Sequence, residues 1–237
     1  MPRRYDSEEA KRRILSSSVR LFILKGYHDT RIADIIAEAN VSTSTFHNIF
    51  CTKDGILTEL LDFMFENQFD TAARIVAKDD PVLLYAVETA VQMVLTERNE
   101  KLREIYLEAY TQPHLAEQIH RKTAAALVKI FGAYLPDCSE SDFYELEIGT
   151  AGMMCGYMAR PCDIYFGIDR KLTRFLRMSL TAYRVPREEQ DAVLAFLAGL
   201  DITRIADGVM QKLFSALAMK FDFSLSPSDN PPTAVNQ

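Results

Sequence analysis

An all-α fold is expected from three features of the sequence. Apolar residues recur three and four positions apart rather than in alternation, and capping residues and prolines punctuate the chain between these stretches. Glycine (9) and proline (9) are also few for a loop-rich β chain of 237 residues. Asp6 and Glu9 have the spacing of a capping box, which would start a first helix running to about Lys25. Ile14, Leu15, Val19, Leu21 and Phe22 fall on one face of it, and Gly26 suits the left-handed position past its end. Thr30 is expected to cap a short second helix carrying Ile32, Ile35, Ile36 and Ala39.

Asn40 tolerates the left-handed backbone that a tight turn needs, so the second helix should stop there. Ser42 is placed to cap a third helix that buries Phe46, Ile49 and Phe50. This leaves Ser42, Thr43, Ser44, Thr45, His47 and Asn48 on a small, polar, uncharged face. Thr52 caps a fourth helix with Ile56, Leu57, Leu60, Leu61, Met64, Phe65 and Phe69 on its buried side, ending near Lys78.

Beyond it, Asp80-Pro81 starts a helix, Pro113 separates two more, and Pro136 closes one. Ser139 or Ser141 caps the next, which stops before Pro161. Pro186 separates the last two helical regions, about 165–184 and 187–220, with Gly199 and Gly208 as candidate kinks. The tail SLSPSDNPPTAVNQ has almost nothing to bury and is expected to be disordered. The domain reading is a head over 1–55, a helical body over 56–222 and a tail over 223–237.

Hydrophobic residues at 48% and charged residues at 25% are ordinary globular usage, with enough apolar surface for a sizeable core. A net charge of −6 argues against a protein that coats nucleic acid over its whole surface. The charge is uneven, because residues 1–55 hold nine Lys/Arg against seven Asp/Glu and the acidity lies in the remainder. A mildly basic segment on an acidic body is consistent with local polyanion contact, and equally with scattered solvated charges. Cys51, Cys138, Cys155 and Cys162 show no metal or redox spacing, so a reduced, cytoplasmic chain is expected, and no stretch is long and apolar enough for a membrane span.

Two short helices joined by a three-residue turn, the second with an exposed polar face, have the form of a helix-turn-helix. Residues 12–65 carry this pattern as LF…KGY, Thr30 ahead of helix two, the IADIIAEANVS turn, TFHNIF and TKDGIL. In these features the segment resembles the amino-terminal domain of the tetracycline-repressor (TetR) family of bacterial regulators. The resemblance implies an all-helical homodimer that binds a double-stranded DNA operator, with a small-molecule inducer held in a variable carboxy-terminal domain. It further implies a repressor released from a palindromic operator by that inducer. Asn40 stands where the family usually has Gly, His47 where it usually has a DNA-backbone Tyr, and Cys51 where a polar residue is common.

Carried onto this sequence, the candidate DNA-binding residues are Thr30, Ser42, Thr43, Ser44, Thr45, His47, Asn48 and Lys53. Thr30 and Lys53 sit at helix starts, where backbone amides favour a phosphate. Arg3 and Arg4 read either as a minor-groove arm or as a charged, floppy terminus. In the body, Met93, Tyr106, Tyr110, Phe131, Met153, Met154, Tyr157 and Met158 are candidate cavity residues, with ordinary core as the competing reading. Gly149, Gly152 and Gly156 share one helix and serve either close packing or ligand space. The last two helical regions are the expected dimer interface.

No catalytic or metal-ligand set is expected. Glu117 and His120 give one Glu-x-x-His without a second copy, and no HExxH, P-loop or GxSxG occurs. The alternative to a regulator is a TetR-like protein that has lost operator reading and acts by binding another protein.

Overall fold

The computed structural model describes residues 2–63, 80–219 and 225, with side chains from Ser7 onward. The described residues form eleven helices and no strand. They are α1 (Pro2–Lys25), α2 (Ile32–Ala39), α3 (Thr43–Ile49), α4 (53–63), α5 (Pro81–Arg98) and α6 (Glu100–Thr111). Then follow α7 (Pro113–Phe131), α8 (Glu140–Ala159), α9 (Ile168–Ala182), α10 (Arg187–Ala198) and α11 (Ile202–Ala216). The expected end of α4 near Lys78, with Met64, Phe65 and Phe69, lies outside the described residues, as does nearly all of the tail.

Several helix ends follow local sequence chemistry. Gly26 takes φ +100° and Asn40 φ 51°, both left-handed, and the Ser42 hydroxyl accepts from the Thr45 amide at 3.0 Å. Asp80 accepts from the Leu83 amide at 2.9 Å, with Pro81 filling a first-turn position that needs no donor. Of the two candidate serines, Ser139 caps α8, in a reciprocal box with Asp142.

Other ends differ from the sequence reading. α1 begins at Pro2, so Asp6 lies inside it, and Glu9 pairs with Arg12 one turn on instead of capping. The backbone at Arg3 and Arg4 is accordingly helical rather than a free arm. Asn99 separates α5 from α6 by accepting from the Leu102 amide at 2.9 Å. α7 stops at Phe131, and Pro136 sits in the turn that follows. Gly199 ends α10 rather than kinking one long helix, because Asp201 caps a new one through the Arg204 amide at 3.0 Å.

α5 is the axis of the body and is buried nearly all round, as its continuous apolar run requires. α6, α7, α8, α9, α10 and α11 all pack on it. α11 buries Ile202, Ala206, Val209, Met210, Leu213 and Phe214, with α5 as its main partner. Its apolar face is therefore occupied within the chain. Head and body share one core, where Phe22 and Ile23 of α1 and Leu57 and Leu61 of α4 meet Leu102, Ile105 and Tyr106 of α6.

A buried ion pair fixes the loop before α9. Lys171 is 1% exposed, and its Nζ donates to Glu97 Oε2 at 2.6 Å and to the Arg160 carbonyl at 2.5 Å. Burial alone would raise the Glu97 carboxyl, but hydrogen bonds from Lys171 and the Cys162 amide hold it below its usual range. Removing one member of such a pair strands the other, typically at about 3–5 kcal/mol. Lys171→Met is therefore expected to destabilise the fold by about 3 kcal/mol in urea unfolding, and Lys171→Met/Glu97→Gln by clearly less.

Candidate nucleic-acid interface and buried cavity

The turn between α2 and α3 is held from both sides. Asn40 closes α2 through bonds from its own amide, and Arg13 of α1 donates to the Asn40 carbonyl at 3.1 Å. Phe46 is fully buried and Phe50 nearly so, which anchors α3 and turns Ser42, Thr43, Ser44, His47 and Asn48 outward, with Thr45 half-buried. The Ser42 hydroxyl lies 2.9 Å from that of Ser44 and 2.8 Å from that of Thr45, so these three form one cluster. Among the described residues, no side-chain hydrogen bond engages Thr43 or Asn48. His47 is tied to its own helix end, since Nδ1 must donate to the Cys51 carbonyl, 3.1 Å away.

Two candidates are placed differently from expectation. Thr30 is 1% exposed and its hydroxyl donates back to the Gly26 carbonyl at 2.7 Å, while Arg31 occupies the cap position of α2. It closes the α1–α2 turn and presents no hydroxyl to a phosphate. Lys53 is half-buried, with Nζ 4.2 Å from the Tyr27 ring centroid and donating to the carbonyls of Tyr27 (2.6 Å) and Thr30 (3.1 Å). Burial depresses its ammonium, opposed by nearby Asp54, Glu108, Glu104 and Asp29. It acts first as a clamp on the α1–α2 turn. The basic excess is similarly offset, with Lys11 on Glu59, Arg12 on Glu9, Arg20 on Glu38 and Lys25 on Asp34.

The head joins the body through a polar seam on α6. Tyr27 donates to Asp54 Oδ1 at 2.6 Å, and Gln112 reaches the same oxygen at 3.3 Å. The His28 amide donates to Glu104 at 2.6 Å, and the His28 ring lies 3.3 Å from Glu108. On α7, Gln118 and Lys122 both reach Asp62 of α4.

The body contains a small cavity with about 40 Å³ of free space, enough for a water or two and too small for a drug-sized ligand without helix movement. Its walls include Tyr85, Glu88 and Thr89 of α5, Tyr110 of α6, Leu127 and Ile130 of α7, Glu147 and Met154 of α8, and Phe175 of α9. Of the expected ligand residues, Tyr110 and Met154 line it. Met93 and Met158 are buried in the core outside it, Tyr106 faces α1, α4 and α11, and Phe131 stacks on Tyr183 at 4.3 Å. Met153 is half-buried against the core, and the Tyr157 hydroxyl lies 3.6 Å from Met178 Sδ.

The polar residues of this cavity were missed in the sequence. Glu88 accepts from Gln92, and Glu147 lies 3.6 Å from His120 Nδ1 and 3.2 Å from the Thr150 hydroxyl. A lone carboxylate inside the apolar run PVLLYAVETAVQMVLT was the available signal. Gly149, Gly152 and Gly156 are exposed, and an added Cβ would meet nothing within 4 Å. They serve neither packing within the chain nor the cavity. The Glu-x-x-His pair is also taken up separately, since Glu117 binds Arg121 and Tyr144 while His120 faces Glu147.

The sequence profile of "Bacterial regulatory proteins, tetR family" matches residues 14–60, the segment from the second half of α1 through most of α4. Residues 14–60 are thus similar to the amino-terminal domain of that family. A "HTH-type transcriptional regulator YuxN" of Bacillus subtilis (strain 168), described as uncharacterized, is 27% identical over 73 residues. That match covers 31% of this chain and only a quarter (25%) of the relative's length. Among solved structures, RolR in complex with resorcinol is similar with a TM-score of 0.58 and 18% identity, over 80% of this chain and 95% of that one. A γ-butyrolactone receptor (ArpA-like protein) aligns at a TM-score of 0.45 and 15% identity, over 87% of this chain and 98% of that one. The RolR likeness extends the agreement in fold beyond the TetR-type head into the body.

Burial pushes the Glu88 carboxyl up to about 7, with the Gln92 hydrogen bond opposing the rise and Glu147 adding to it. A folded-state value above the ordinary 4.5 means that the folded chain holds this proton while the unfolded chain has lost it. The group's stabilising share is thus complete below pH ~4.5 and falls as pH rises towards 7. Glu88→Gln should remove this dependence. Urea unfolding is expected to show the variant gaining on the parent by up to about 3 kcal/mol between pH 4.5 and 8. Parallel profiles would show that Glu88 does not titrate in this range.

Proposed function

We propose that this protein is a DNA-binding transcriptional regulator, acting as a repressor whose operator affinity is lowered by a small molecule in the cavity between α5, α6, α7 and α8. The observation that carries the reading is α3. It is a capped helix pinned by buried Phe46, with Thr43 and Asn48 exposed and without a side-chain hydrogen bond among the described residues. Short polar side chains at the start of such a helix suit base edges in a major groove, while Ser42 and the residues around His47 suit the flanking phosphates. The TetR-type profile over the head and the RolR-like body support the same reading, and RolR is itself a ligand complex.

Regulation is proposed to run through α6. Tyr110 faces the cavity, Glu104 and Glu108 on the same helix hold His28, and Gln112, the residue that caps its end, holds Asp54 of the head. A ligand that rotates or shifts α6 therefore moves the head with it. Its leverage equals its differential affinity for the two arrangements, and about 4 kcal/mol is needed for a thousandfold loss of DNA affinity. A palindromic operator requires a dimer that holds two α3 helices about 34 Å apart. The dimer face proposed here joins α9 to α8, where Ile148 (46% exposed) and Met178 (47% exposed) flank the open Gly149, Gly152 and Gly156.

The test is fluorescence anisotropy of the full chain on duplexes from the intergenic DNA beside its own gene, against random duplex, at several salt concentrations. A specific site should bind about a thousandfold more tightly than random sequence. Thr43→Ala and Asn48→Ala should each cost that site about tenfold while leaving random-duplex binding nearly unchanged. Affinity equal to random duplex at every salt concentration sinks the regulator reading.

A further inference from the structure

The cavity walls carry two carboxylates, Glu88 and Glu147, and no lysine or arginine. Both are buried, burial raises the carboxyl of each, and Glu147 adds to the rise at Glu88. An uncompensated buried carboxylate is among the most costly groups a core can hold. His120 is the one titratable base beside them, and it lies on the Glu147 side at 3.6 Å. A second and independent feature is Thr89, fully buried on the same wall, whose hydroxyl has no hydrogen-bond partner among the described residues. The remaining walls are aromatic or soft, with Tyr85, Tyr110, Phe175 and Met154.

From this we infer that the cavity takes an organic cation, a protonated amine on an aromatic or apolar body, with the ammonium between Glu88 and Glu147. An ammonium offers donors to both carboxylates and to the Thr89 hydroxyl and supplies the positive charge that the cavity walls lack. The tyrosine and phenylalanine rings supply faces on which a cation is further stabilised. The body of the ligand enters by displacing Met154, the most adaptable wall residue, since the present free space of about 40 Å³ does not hold it. An anionic ligand is disfavoured by the same two carboxylates. The inference rests on the proposed role of this cavity as the ligand site, and it is testable without DNA.

The probes are tyramine, its isostere 4-propylphenol, in which a methyl replaces the ammonium, and the anion 3-(4-hydroxyphenyl)propionate. Binding to the full-length protein is read by isothermal titration calorimetry and thermal shift at pH 8, where tyramine is a cation and Glu88 is largely ionised. Tyramine is expected to bind at least about tenfold more tightly than 4-propylphenol, with the propionate weakest. Glu88→Gln and Glu147→Gln, made separately so that one folding failure does not decide the matter, should each cost tyramine about tenfold. The same variants should leave 4-propylphenol unchanged or improve it. Equal or tighter binding of 4-propylphenol overturns the inference, as does tyramine binding indifferent to both substitutions or no binding of any probe. Tyramine binding by a protein that does not distinguish operator from random duplex would sustain the inference while defeating the regulator reading.

Discussion

The arrangement of this molecule depends on one phenol. Tyr27 is buried at the end of α1, its hydroxyl bonded to Asp54, its ring under the Lys53 ammonium and its carbonyl held by the same Lys53. Burial and the adjacent carboxylate drive its ionisation far above any physiological pH, so the phenol remains a permanent donor. Through it the α1–α2 turn, the start of α4 and Gln112 at the end of α6 meet at one point. The α2–α3 turn, with its exposed polar helix, is thereby carried on a support that belongs to head and body together. The surface charges around it are exposed pairs, individually worth no more than about 1 kcal/mol, and do not set this geometry.

What the sequence made legible was local. Gly26 and Asn40 in left-handed conformation, the Ser42 cap and the buried Phe46 each depend on residues within one turn of themselves. Thr30 shows where such reasoning stops. A threonine between two helices can cap the second or bond back to the first, and the outcome here, a bond to the Gly26 carbonyl, depends on how the turn packs. Lys53 was read as a charge at a helix start, yet its partners lie 23 and 26 residues earlier. The long final helix divided at Gly199 for a local reason that was available, the Asp201 cap.

The cavity was less legible because it is assembled from five helices. Methionines and tyrosines were sought by residue type, and only Tyr110 and Met154 are in place, since side-chain type does not specify which face of a helix turns inward. The informative residues were instead those that violate their surroundings, Glu88 in an apolar helix and Glu147 on the inner face of α8. Their carboxylates come together only when α8 packs across α5. The resemblance of the head to a known family carried no information on this point, because it covers a different part of the chain.

α6 has 12 residues, so at 1.5 Å per residue it is a rod of about 18 Å. Tyr110 near its end and Gln112, which caps it, are two positions apart, one at the cavity and the other at the Tyr27 junction. Along the chain, the cavity wall and the contact to the head are thus only about 3 Å of axial rise apart at this point. Any tilt of this rod moves the cavity wall and the contact to the head together.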